Sequence, residues 1–368
     1  MGDWSRRDEL LLLIAVSGEL PADWVGRAAG SDSYGAALLT RLKRDGFIKL
    51  RSGGGLRGYM LRARGKRYLL DTYPEEIASY LTGAVCTNQI KSEPEKRLRL
   101  HRMSMVWVFC HRAGIRIFAG EKPELFPALR PIPSGLQKGS EAGPGTWSYY
   151  GTSEWKQEKD KEIKGSRACG ILAGECYYVV YNTMDSLMKW VPKTERNLKS
   201  RMEFRLRGNP GKRLTGSIIM GTGMDMIKRL LDSDGGLKGD LFCLDDIYEL
   251  IYFIPFISEA ALQLYLLCSQ HEKTRFNQFL SSSLTTVEKE EIGPEAGKDQ
   301  DGNLVYFCYQ LELWQLQRIR LRMWRGGRIF CFTYQARTLR EIFPDNFEVE
   351  AIRPERVYQY LGWTKMDE

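Results

Sequence analysis

Histidine is nearly missing from this chain: His101, His111 and His271 are the three in 368 residues, and no H-x-H pair occurs. A relaxase-type site that holds its metal with clustered histidines and attacks with tyrosine is therefore disfavoured, since it needs two or three neighbouring ligands. His101 and His111 fall nearly three turns apart on one predicted helix, too far to share a metal, and are expected to be structural. The pairs Tyr149-Tyr150 and Tyr177-Tyr178 sit in strand-like runs, where aromatic side chains normally pack. The eight cysteines (86, 110, 169, 176, 243, 268, 308 and 331) form no C-x-x-C, which argues against a zinc knuckle or a disulfide framework. No run approaches eighteen apolar residues, and Leu10 to Val16 is short and adjoins Asp8 and Glu9. It is read as neither a membrane span nor a signal sequence, and the chain is expected to be cytoplasmic with no membrane partner. Met220-Gly221-Thr222-Gly223 lacks the G-x-x-x-x-G-K-[ST] of a nucleotide loop, and Met226 stands where G-x-G-x-x-G needs its last glycine. An ordinary strand-to-helix turn is expected there.

What the chain does have is concentrated positive charge. Residues 41–67, RLKRDGFIKLRSGGGLRGYMLRARGKR, carry ten Lys or Arg against one acid, Asp45, whereas the whole chain is only +8. Residues 1–112 hold nineteen bases and twelve acids, so the excess is almost entirely N-terminal. The local pattern predicts a winged helix-turn-helix. Ser5 with Asp8 and Glu9 starts a helix that Gly18 closes, and Pro21 opens a short second one. Ser31-Asp32-Ser33 caps a third, with Leu38, Leu39 and Leu42 inward and Gly46 at its end. Strands Phe47 to Leu50 and Gly58 to Leu61, joined by Ser52-Gly53-Gly54-Gly55, would form the wing, with Arg51 and Arg57 beside its tip. Such a fold sets its third helix in the major groove of double-stranded DNA while basic side chains fix register on phosphate. Ser31, Ser33, Tyr34, Ala37, Arg41, Arg44, Arg51 and Arg57 are the candidate DNA-binding residues. A basic hairpin used for protein contacts is the alternative, because winged folds host several functions.

Beyond the wing, Glu93 to Arg112 reads as an amphipathic helix whose positions Arg97, Arg99, His101 and Arg102 either extend the DNA surface or form a solvated face. A strand-rich middle follows, with IRIF, WSYYGTSEWK, ACGILAGE and CYYVVYN, then a basic helix from Lys193 to Leu206. Next, LTGSIIMG, DLFCLD, LVYFCYQ, GRIFCFTY and NFEVEAI read as buried strands between helical stretches, with residues 282–302 as a connector. The fold class is thus α/β overall. The expected domains are 1–75 for the winged helix, 76–212 for the basic helix and strand-rich middle, and 213–368 for an α/β domain.

The order of these segments, with L-x-R-L-x-x-x-G-x-I and Y-x-L-x-x-x-G-K-R in the first and RLRLHRMSMVWVFCHRAGI, YYGTSEWK, SRACGILAGECYYVVYN, MKW and TERNLK after it, resembles the replication-relaxation proteins of bacterial plasmids and integrative conjugative elements. The resemblance implies a DNA-binding protein of a mobile element, acting in replication or mobilisation, and some relatives pair the winged helix with a restriction-endonuclease-like core. Such a core holds Mg²⁺ or Mn²⁺ with an acid on one strand and an E-x-K on the next. Glu154-Trp155-Lys156 supplies E-x-K, but no aspartate occurs between Asp71 and Asp160, leaving Glu121, Glu124 or Glu141 as substitutes.

A degenerate core, with no cofactor, is the preferred reading. Metal-dependent nicking through Glu154 and Lys156 is the alternative, and a transcriptional regulator is the third. The expected partners are double-stranded DNA, a second copy of the chain, since DNA sites recognised by winged helices are often read by dimers, and replication or mobilisation proteins.

Overall fold

The computed structural model describes residues 4–82, 93–126, 147–155, 161–207, 212–285 and 294–363. Two compact units emerge, Met1–Lys161 with Ala168–Gly174, and Glu162–Arg167 with Glu175–Asp367. Residues 1–75 lie wholly in the first, which also takes the earlier part of 76–212. Both units mix helix and strand, so the chain is of mixed α/β class.

The first unit is organised around one apolar helix. Ser5 accepts from the Asp8 amide at 3.2 Å, starting α1 at Arg6–Ser17, and Gly18 ends it at φ 71°, a left-handed conformation open to glycine. Leu10 to Ala15 are fully buried, so α1 has no solvated face over that stretch and serves as core. Tyr68 and Tyr73 both donate to the Asp8 carboxylate at 3.0 Å, tying the later helices to its first turn.

Strand β1 (Leu20–Pro21) precedes a short turn of helix and α2 (Val25–Ala29). Helix α3 (Asp32–Arg44) begins where Ser31 Oγ accepts from the Tyr34 amide at 3.2 Å, and it buries Gly35, Leu38 and Leu42. At Gly35 a Cβ would lie 3.3 Å from both Val25 Cγ1 and the Val25 carbonyl, so glycine lets α2 and α3 approach closely. Strands β2 (Ile48–Gly53) and β3 (Leu56–Leu61) then pair antiparallel, and β1 joins β3 to give the order β1-β3-β2. The hairpin is longer than the sequence predicts. Ser52 and Gly53 belong to β2, and only Gly54 (φ 60°) and Gly55 (φ 74°) form the turn. Two successive positive φ values match the twist of a right-handed hairpin, which explains why the pairing extends to the glycines.

Helices α4 (Ala63–Thr72), α5 (Pro74–Leu81) and α6 (Pro94–Arg112) follow, with α6 packed along α1. Strand β4 (Ser148–Gly151) leads directly into the one-turn α7 (Thr152–Trp155), and β5 (Ala168–Ala173) pairs antiparallel with β4. The IRIF segment contributes an isolated bridge, Arg116 to Ser148, rather than a strand.

In the second unit β6 (Tyr177–Met184), α8 (Pro192–Leu206), β7 (Leu214–Gly221), α9 (Met226–Leu231) and β8 (Ile251–Pro255) alternate, and β6, β7 and β8 run parallel. The DLFCLD segment makes bridges only, through Leu241 and Cys243. The third parallel strand is instead β8, whose residues are all buried. After α10 (Ala260–Cys268) and α11 (Gln270–Ser281), the edge strand β9 (Gly297–Lys298) pairs antiparallel with β10 (Leu304–Phe307). Helix α12 (Leu313–Leu321), β11 (Gly327–Phe332), α13 (Thr333–Ile342), β12 (Phe347–Ile352) and α14 (Pro354–Leu361) complete the unit, with β10, β11 and β12 parallel. The residues read as a plain connector, 282–302, therefore contain β9, while 286–293 lie outside the described residues. Buried Gln263 links the layers, donating to the carbonyls of Phe253 and Gln310 at 2.7 and 2.8 Å and accepting from Tyr334. Among the described residues no helix is long and apolar enough to cross a membrane.

Candidate nucleic-acid interface

Helix α3 turns Leu38 and Leu42 inward, which leaves Ser33, Tyr34, Ala37, Arg41 and Arg44 on the solvent side. All five are exposed, the Arg44 side chain to 76% and that of Arg41 to 64%, so these guanidiniums stand free to meet an anion. Asp45 at the helix end is 3.9 Å from Arg41 and 3.5 Å from Arg44, a single weak counter-charge for two bases. Exposed pairs of this geometry cost little to open. Ser31 sits at the helix start with its hydroxyl committed to the cap.

Arg57 and Arg51 behave differently. In the hairpin Arg57 stands opposite Ser52, one residue from the Arg51–Gly58 pair, so the pleat sends the two arginines to opposite faces. Arg57 is exposed. Arg51 is only 21% exposed at its side chain and lies 3.5 Å from Glu19, a carboxylate with no solvent access.

Glu19 is the hub of this part of the unit. It accepts from Arg97 Nε at 3.1 Å and Nη2 at 2.5 Å, and its Oε1 is 3.0 Å from His101 Nε2. Burial alone would push the Glu19 carboxyl up, but the hydrogen bonds from His101 and Arg97 and their charge outweigh it and hold the pKa down to about 2. Arg97 also donates to the carbonyls of Gly53, Arg51 and Leu56, which are the last residues before and the first after the glycine turn. Gly58 allows the approach, because a Cβ there would meet Glu19 Cγ at 2.6 Å and His101 Nε2 at 2.9 Å. The basic start of α6 is thus neither an extension of the DNA surface nor a solvated face at Arg97 and His101. It is buried structure that grips the hairpin. At the other end of α6, His111 Nε2 lies 2.7 Å from Glu9, and Arg112 lies 3.5 Å from it. Burial raises the Glu9 pKa, yet the His111 hydrogen bond and the charges of Arg112, His111 and Arg6 leave it lowered overall.

The E-x-K segment divides between described and undescribed residues: Glu154 is placed and Lys156 lies outside. Glu154 Oε2 accepts from the Gly151 amide at 2.7 Å, closing the turn into α7. Its Oε1 accepts from Tyr80 at 2.9 Å and from Lys122 Nζ at 2.5 Å. Lys122 is nearly inaccessible, donates also to the Tyr149 carbonyl at 3.0 Å, and lies 5.1 and 4.8 Å from the ring centres of Trp107 and Tyr150. Burial pushes the Lys122 ammonium below its usual range, opposed by the Glu154 charge. Both carboxylate oxygens of Glu154 are therefore engaged by protein donors, in a part-buried pair whose lysine the sequence pattern does not single out. Among the described residues no three His, Cys, Asp or Glu side chains group as a metal site. Of the substitute acids, Glu121 and Glu124 are described and Glu141 is not.

Other candidates resolve into packing. Tyr149, Tyr150, Tyr177 and Tyr178 are buried in strands. The Thr222 amide and hydroxyl both donate to the Met184 carbonyl, and Asp225 crowds Gly223, so the turn after β7 presents a carboxylate where a phosphate would need donors. The seven described cysteines are free thiols, five of them buried; Cys86 lies outside the described residues. No family model matches the chain, nor does any curated protein or solved structure.

Proposed function

We propose that the first unit is a winged-helix module that binds double-stranded DNA, with α3 as the groove helix and the β2–β3 hairpin as the wing. The observation that carries the reading is the exposed row Ser33, Tyr34, Ala37, Arg41 and Arg44 on α3, in the same unit as a glycine-turned hairpin bearing exposed Arg57. In this reading Arg57 and Arg44 contact phosphate, and Ser33, Tyr34, Ala37 and Arg41 face base edges. Arg51 supports the hairpin through Glu19 and is not a phosphate contact.

The resemblance to replication-relaxation proteins gives the context: a cytoplasmic DNA-binding protein of a bacterial mobile element, acting in replication or mobilisation, in which the remaining α/β elements organise partners. The engagement of Glu154 with Lys122 supports a degenerate core over a cleaving one. The test is retention and cleavage of a plasmid-origin duplex library by the full chain, with EDTA and with Mg²⁺ or Mn²⁺. Sequence-selective retention that survives EDTA, without strand breaks, is expected. Metal-dependent nicking that Glu154→Ala abolishes would replace this reading with the enzyme, and no retention at moderate salt would refute DNA binding.

A further inference from the structure

The second unit carries one concentrated basic stretch of its own. Between Lys193 and Arg213 stand eight Lys or Arg and two Glu, so this stretch is basic although the chain beyond residue 112 carries almost no net charge in all. Most of these bases lie on α8, and the helix is anchored by its other side. Glu195 is buried and accepts from Ser166 at 2.9 Å and Tyr181 at 2.6 Å, while Leu198, Met202 and Leu206 fill the same inward stripe. One of the two acids is thereby removed from the surface. Lys193, Arg196, Ser200, Phe204 and Arg207 follow at helical spacing along the outward side, and all are exposed. Arg196 lies 3.3 Å from Asp246, a counter-charge that is itself 87% exposed. Phe204, at 67% exposure, is the one large apolar side chain in this row.

We propose that the outward face of α8 docks single-stranded nucleic acid, with Lys193, Arg196 and Arg207 on backbone phosphates and Phe204 stacked on an unpaired base. Lys193 to Arg207 spans about 21 Å of helix, room for several nucleotides. Charge selects a polyanion, and the aromatic ring selects one whose bases are accessible, because paired bases in a duplex offer no free face to stack on. A membrane surface fits less well: a helix lying in lipid needs an apolar face, and that face of α8 is already spent on the core.

The inference does not rest on the winged-helix reading. Anisotropy of a fluorescent oligothymidylate of about 16 nucleotides with the full chain tests it, in an Arg41→Ala/Arg57→Ala background that removes charge from the proposed duplex surface. Phe204→Ala is expected to weaken binding about tenfold with little change in salt slope, and Phe204→Trp to restore it. Neutralising Lys193, Arg196 and Arg207 to Gln together is expected to lower the slope by about 2. Unchanged affinity in Phe204→Ala, an unchanged slope in the triple variant, or binding to phosphatidylserine vesicles but not to the oligonucleotide would overturn the proposal.

Discussion

Helices α3 and α6 both read as basic in the sequence, yet their charges meet opposite fates. On α3, Arg41 and Arg44 reach into solvent with one weak partner between them. On α6, Arg97 and His101 are buried against Glu19, and His111 and Arg112 close on Glu9. The difference is not set by the helices' own composition. It is set by whether a distant carboxylate is placed to receive the charge, since a buried guanidinium persists only when paired and hydrogen-bonded. A basic helix is therefore a candidate nucleic-acid surface only after its inward partners have been accounted for.

The sharpest way to break the comparison is Glu19→Gln. It keeps the shape but leaves Arg97 buried without its counter-ion, and a loss of about 3–5 kcal/mol in unfolding free energy is expected by chemical denaturation. The same carboxylate sets an acid limit. Its folded pKa, about 2, lies below the ordinary value of 4.5, so its stabilisation is present above that ordinary value and is lost as pH falls toward about 2. Denaturation across that window should show a slope in the native chain that Glu19→Gln lacks; equal slopes would show that Glu19 does not carry it.

A smaller effect sharpens the other side. Arg41→Ala is expected to cost about 1–3 kcal/mol on the selected duplex and to relax preference at one position, with stability unchanged within about 0.5 kcal/mol. Equal losses on selected and scrambled duplexes would remove α3 from base reading.

How much of this was legible in the sequence follows from range. The caps at Ser5 and Ser31, the glycine turn and the exposed row of α3 depend on residues a few positions apart, and local pattern suffices for them. Glu19 and Arg97 are 78 residues apart, and Lys122 and Glu154 are 32 apart; no spacing rule links such pairs. The inward turn of Arg51 was not legible, because the strands read from the sequence stop at Leu50 and Gly58, and only the observed pairing of Ser52 with Arg57 places Arg51 on the opposite face. β8 was missed because IYFIP and DLFCLD are both short apolar runs, and only pairing with β7 separates a strand from a bridged loop.

The central claim is that exposed charge on the hairpin and α3, not total basicity, binds duplex DNA. Its most direct test is the salt dependence of binding to one selected duplex by the native chain and by Arg57→Ala. The account predicts that the slope of log affinity against log salt falls by about 1 in the variant, uniformly across sequences and without loss of fold. An unchanged slope would contradict it and place the phosphate contacts elsewhere.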